Sequence, residues 1–131
     1  ANARGTITVA GYNHLDNSLY VESSRGYTRK GRIQPDFAAP AVRVAGLLAG
    51  GSGTRPLFVR RSGTSVGAAL TAGAAALFFE WGIVRGNDAF LYGEKLKAYL
   101  IKGAEPLAGA AVPDTQTGWG RLCLKNSLPQ A

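Results

Sequence analysis

Residues 62–81 read SGTSVGAALTAGAAALFFEW, a run of small residues that begins around two serines and ends on aromatics. After Ser65, every side chain to Phe79 is small or apolar except Thr71. Such a stretch predicts a helix buried on all sides. Gly63 permits a sharp turn into it from the extended LFVRR of residues 57–61. Gly67, Ala68, Ala69 and Ala72 allow close neighbours, and Gly82 is the expected C-cap. Ser65 then stands in the first turn, beside unpaired backbone N–H groups and the positive end of the helix dipole. Those groups can stabilise an oxyanion. The same position also suits a serine that merely caps a core helix. The stretch alone leaves both readings open.

The 131 residues amount to one domain, with 46% hydrophobic and 18% charged residues, a balance that supports a packed core. The 18 glycines predict many tight turns, since no collagen-like period accompanies them. The net charge is +7. Its densest stretches, Arg25 to Arg32 and Arg55 to Arg61, lie in turn-like segments with few aromatics to stack bases. A solvated basic surface is expected, and no nucleic-acid partner. A single cysteine, Cys123, excludes an internal disulfide and a thiolate metal cluster, and its RLCL setting predicts a small buried hydrophobe. No signal-peptide pattern opens the chain. The longest charge-free apolar run, Val66 to Phe79, falls short of the roughly 20 residues that span a bilayer, so no membrane association is expected.

Outward from the serine stretch, GTITVAGYN predicts a strand from Thr6 to Tyr12, and LYVESS a second short strand after the polar turn NHLDNS. RGYTRKGRIQP is a basic loop, Val42 to Leu47 a further strand, and GGSGTRP a flexible loop. Glu94 to Lys102 carries Leu96, Tyr99 and Leu100 on one face and lysines on the other, as a surface helix does. TGWGRLCLKNSL closes the chain with a Gly-rich turn and a short apolar element. Together these predict a layered α/β domain: a central buried helix starting at the serine, short strands and one surface helix.

Gly63-Thr64-Ser65-Val66-Gly67 also fits G-x-S-x-G, the nucleophile elbow of α/β-hydrolases. That arrangement needs its histidine after the serine. The only histidine, His14, precedes Ser65, so the reading fails. The order aspartate, histidine, serine is that of subtilisin-like proteases, and four collinear segments carry that resemblance. SGTSVGAALTAGAAAL resembles the subtilase serine box G-T-S-x-A-x-P-x-x-x-G-x-x-A-L. SSRGYTRKGRIQPDFAAPAV resembles S-S-R-G-x-T-x-x-G-R-I-K-P-D-x-x-A-P-G. ITVAGYN is similar to the strand I-x-V-G-A, and LKAYLIKGA with GWGRLCL to the penultimate helix and closing segment. The matches run from about Thr6 to Ser127, and are nearest to clostridial, spore-germination-type subtilases of the peptidase S8 family.

The resemblance implies an α/β, three-layer αβα fold, of which this chain is the C-terminal portion. It implies a serine endopeptidase working through an acyl-enzyme, with Ser65 as nucleophile. Its own N–H, shaped by Thr64 and Gly63, would form part of the oxyanion site. Arg61 and Val66 would lie near the leaving group. The implied partners are a peptide or protein substrate and an N-terminal catalytic segment bearing the aspartate, the histidine and the oxyanion asparagine, none of which matches here. A homodimer of the isolated chain is also expected, because a helix apolar on every face needs cover. No cofactor or metal is called for by these residues, although full-length relatives can carry structural calcium. Secretion or spore association follows from the resemblance alone. His14 is expected at the surface and Asp36 in a structural role. Ala69 stands where the family has proline, and Ala41 where the family has glycine. The second change leaves a non-catalytic pseudoprotease or interaction fragment as the rival function.

Overall fold

The computed structural model describes residues 3–50, 53 and 57–129. Strand β1 (Val9–Asn13) is the middle of a three-stranded sheet, antiparallel to β2 (Ser18–Leu19) and parallel to β3 (Phe37–Pro40). The β1–β3 register runs from Val9 opposite Phe37 to Tyr12 opposite Pro40. Strands β4 (Val44–Leu47) and β5 (Phe58–Arg61) form a separate antiparallel ribbon. Helix α1 (Thr64–Phe79) continues as a π-helical turn over Glu80–Val84. Helix α2 (Gly93–Lys102) and a single turn, α3 (Leu124–Ser127), follow.

The strands are shorter than their patterns predict, for local reasons. β1 starts at Val9 rather than Thr6 because the N–H of Thr8 goes to Asp36 Oδ2 (2.7 Å) instead of a neighbouring strand. β4 starts at Val44 rather than Val42, after Arg43 takes φ 49 and breaks the extended run. Of LYVESS only Leu19 stays in a ladder, while Tyr20 turns its hydroxyl to Glu22 Oε2 (2.6 Å). Most of the expected GGSGTRP loop, residues 51, 52 and 54–56, lies outside the described residues.

The core gathers where α1 ends. Phe37 of β3 and Phe78 of α1 pack with Leu91, Leu96 and Leu100, and all five side chains are buried. The Phe78 ring sits 5.3 Å from Tyr99 and 5.5 Å, edge-on, from Trp81. Burying an aromatic or leucine side chain contributes about 1.5–3 kcal/mol, so this cluster anchors α1 and α2 to the sheet. Gly82 is not the helix cap that the sequence predicts. The helix runs through it to Val84, closing with Arg85 N–H donated to the Glu80 carbonyl at 2.9 Å. Its lack of a side chain serves packing instead, because a Cβ there would come 2.9 Å from Leu91 Cδ2.

Helix α1 differs most from expectation. Where its composition predicts burial on every face, only Gly67, Thr71 and Phe78 are buried, and Leu77 is 56% exposed. The described residues supply cover on one side, β1 and β3, and leave the rest of the apolar surface bare. Thr71 is tolerated on the buried side because its hydroxyl bonds the Gly67 carbonyl (2.9 Å). With the π turn, Thr64–Val84 is long and apolar enough by length and composition to cross a membrane. Packing of Gly67 against Ala39 and Pro40 instead assigns it the place of a sheet-covering core helix.

An ion pair reinforces the backbone bonds that hold the closing segment to the rest. Arg121 donates through Nε (3.1 Å) and a terminal nitrogen (2.9 Å) to Glu105 Oε2, and Asn126 donates to Oε1 (2.6 Å). The Arg121 guanidinium above all holds the Glu105 carboxyl below its ordinary value of 4.5. A carboxylate depressed in the folded state stabilises it above the unfolded pKa, and that stabilisation is lost as pH falls through the lower folded value. Arg121→Ala is therefore expected to lower the denaturant midpoint at about pH 7 more than at about pH 3. Equal losses at the two pH values would show that the pair carries no pH-linked stability.

Candidate active site

Strand β5 feeds through Ser62 and Gly63 straight into α1. Two cross-links hold this turn: Ser62 Oγ accepts the Arg43 N–H (2.9 Å), and the Gly63 N–H is donated to the Ala41 carbonyl (2.8 Å). Gly63 is the N-cap at φ 144, a conformation that strongly favours glycine. A Cβ there would also press to 3.3 Å from Ser65 Oγ. Thr64 is the first helical residue and Ser65 the second, one place later than the sequence predicts.

No side chain caps α1, which removes the capping reading left open by the sequence. Ser65 is exposed, and among the described residues its hydroxyl has no hydrogen-bond partner. It projects from the first turn, where backbone N–H groups lack intrahelical acceptors and the dipole favours negative charge. Such a position can present a nucleophilic oxygen and stabilise an adjacent oxyanion.

Thr64, Ser65 and Ala68 form one wall of a groove of about 450 Å³, completed by residues 7–10, 23–28, 34 and 35. Two polar atoms buried along it, Thr8 Oγ1 and Gln34 Oε1, have no hydrogen-bond partner among the described residues. On the edge of β1 away from β3, Gly11 is engaged, while Val9 has no ladder partner there among the described residues. Gly11 donates its N–H to Ser23 Oγ (3.0 Å) and accepts from the Tyr20 N–H (3.3 Å). Strand alternation turns the N–H and C=O of Val9 the same way, toward the groove.

The other candidate residues lie apart from the serine. His14 is exposed in the β1–β2 turn and does not line the groove. Asp36 is buried and fully engaged, with Oδ2 accepting from Thr8 and Oδ1 paired to Lys97 Nζ at 2.7 Å. Cys123 is half-buried and free. Ala41, at the family's glycine position, is fully buried and has no positive φ; that conformation falls to Arg43 two residues later. Its Cβ occupies the space that a side chain on Gly11 would need, at 2.7 Å. Sequence reading missed Thr8 and Gln34 as groove residues. The only signal was a polar residue beside Pro35 in a segment destined for the core.

Residues 1–120 match the family model described as the subtilase family. The chain belongs to the subtilase family. Its fold superposes on the CspB protease of Clostridium perfringens with a TM-score of 0.84 and 42% identity, over 95% of this chain and 26% of that one. The patellamide maturation protease PatA aligns at a TM-score of 0.71 and 24% identity, over 95% of this chain and 42% of that one. Fervidolysin from Fervidobacterium pennivorans, a keratinolytic enzyme related to subtilisin, aligns at 0.67 and 19% identity, covering 94% and 19%. The last two likenesses concern the fold. Comparison with curated protein sequences returns no match. The subtilase chain thus spans about a quarter of the length of the CspB protease, and its fold is the α/β subtilisin-like fold that the sequence predicts.

Proposed function

We propose that this chain is the C-terminal, nucleophile-bearing portion of a subtilisin-like serine endopeptidase. The observation that carries the reading is the exposed, unpartnered hydroxyl of Ser65 in the first turn of α1, beside a groove with unsatisfied polar atoms. Ser65 Oγ attacks the carbonyl carbon of a peptide bond and passes its proton to a histidine. The Ser65 N–H stabilises the oxyanion, with Gly63 and Thr64 shaping its site. Collapse of the tetrahedral intermediate releases the amine, which takes the proton, and water then hydrolyses the acyl-enzyme. No histidine lines the groove, so the base and its aspartate come from another segment. That segment docks along β1 at Val9 and over the bare faces of α1, and supplies partners for Thr8 and Gln34. Self-association of the isolated chain uses the same surface. A secreted or spore-associated setting accompanies this reading.

The rival, a non-catalytic interaction fragment, docks in the same way and differs only in what Ser65 does. A chimera separates them: this chain joined behind the part of the CspB protease that precedes its matching region. The isolated chain is expected to react with a fluorophosphonate no faster than a surface serine, because its hydroxyl stays protonated without a base. The folded chimera is expected to label and to hydrolyse peptides. A folded chimera that does neither would leave the interaction reading standing.

A further inference from the structure

Between Asp36 and Glu80 the chain has no acidic residue, yet it carries Arg43, Arg55, Arg60 and Arg61. The three of these within the described residues, Arg43, Arg60 and Arg61, are exposed, and none has an ion-pair partner among those residues. They lie along the strand and turn that lead to the serine, with the consecutive Arg60 and Arg61 on opposite faces of the ribbon. Arg60 pairs across the β4–β5 ribbon with Ala45, and Arg61 with Val44. Arg43 is tied by its N–H to Ser62. These one-signed charges on both faces of the ribbon contrast with the basic residues of α2, where Lys95 and Lys97 are neutralised by Asp88 and Asp36.

Resting on the serine-endopeptidase reading, we propose that Arg43, Arg60 and Arg61 form a subsite for an acidic, extended peptide segment. The site then selects substrates with Asp or Glu a few residues from the bond that Ser65 attacks. Distance supports that spacing. Arg61 precedes Ser65 by four residues, so their Cα atoms lie at most about 14 Å apart. An extended peptide advances about 3.3 Å per residue, and passes from Ser65 to the arginines within about four. The geometry favours peptide over nucleic acid, because β5 belongs to a two-stranded ribbon whose outer edge is unpaired among the described residues and leads directly to Gly63. A peptide backbone can pair with such an edge while its carboxylates meet the guanidinium groups.

Binding to the chain itself tests this without requiring catalysis. A fluorescein-labelled octapeptide with three glutamates is titrated by anisotropy, against the same peptide with glutamines. The acidic peptide is expected to bind about 10-fold more tightly, the size of three exposed charge pairs, and to lose that margin at about 0.5 M salt. Arg43→Gln, Arg60→Gln and Arg61→Gln combined should erase the preference with an unchanged melting temperature. Lys125→Gln on α3 should leave it intact. Equal binding of the two peptides, an undiminished preference in the triple variant, or tighter binding of an octanucleotide would each overturn the proposal. Fluorophosphonate labelling of the chimera reports on the endopeptidase reading separately. Labelling without acidic preference removes only the subsite, and preference without labelling removes only the catalytic reading.

Discussion

Ser65→Ala is expected to abolish fluorophosphonate labelling of the chimera and to reduce peptide hydrolysis by about 10⁶-fold, the loss that removing the nucleophile causes in subtilisin itself. The physical ground is the position of the Ser65 hydroxyl, exposed in the first turn of α1 and without a hydrogen-bond partner among the described residues, whereas two nearby serines are held. Ser62 Oγ is engaged by the Arg43 N–H, and Ser23 Oγ by the Gly11 N–H. The substitution should be silent in the fold. Ser65 is exposed, its hydroxyl neither caps the helix nor bonds a described residue, and alanine is the better helix former. The decisive comparison is rate against melting temperature in one sample. A variant that keeps its melting temperature and still labels at the original rate would remove Ser65 from the chemistry. A variant that loses both would point to a structural role.

Gly120→Ala should be strongly destabilising, at about 3 kcal/mol or more. Gly120 has φ 115, and a Cβ there would overlap the Glu105 carbonyl. Neither neighbour can yield cheaply. The Glu105 backbone is paired both ways with Arg121, at 3.0 and 2.7 Å, and the Gly120 carbonyl accepts the Ala38 N–H at 2.8 Å. Ala38 is fully buried in β3, so a shift that relieves the overlap strands a buried donor in the sheet. Gly73→Ala is the matched control. Its added Cβ would meet nothing within 4 Å on the bare side of α1, and gains about 0.5–1 kcal/mol from helix propensity in the isolated chain. Urea unfolding of the two variants should move in opposite directions. A Gly120→Ala midpoint equal to that of the unaltered chain would mean that the Glu105 to Arg121 clamp is loose.

Much of this protein is readable from local pattern. The run after Ser65 specifies a helix because it holds no proline or charge and, apart from Thr71 and two glycines, only apolar side chains, and α1 begins within one residue of the expected place. The apolar stripe of Leu96, Tyr99 and Leu100 likewise specifies α2, whose bounds differ by a single residue. These are short-range effects, and the residues that cause them are adjacent in the chain. The collinear motifs read the family for a related reason, since glycines and small side chains recur wherever backbones must approach closely.

What the sequence could not determine depends on neighbours distant in the chain. Apolarity says that a helix face prefers burial, but not whether a covering surface is there. α1 is buried only where β1 and β3 reach it. Gly82 looked like a cap because glycine favours both helix ends and tight packing, and only the approach of Leu91 distinguishes the two. The choice between a capping and a free serine at the start of α1 was open for the same reason. It rested on the φ of Gly63 and on the bonds to Arg43 and Ala41 that hold the turn, contacts across some twenty residues of chain. Local sequence thus determined which segments become helix and where the serine falls. Tertiary contacts determined which faces are bare and left the Ser65 hydroxyl exposed, because burial and partnership are properties of pairs of segments rather than of either one alone.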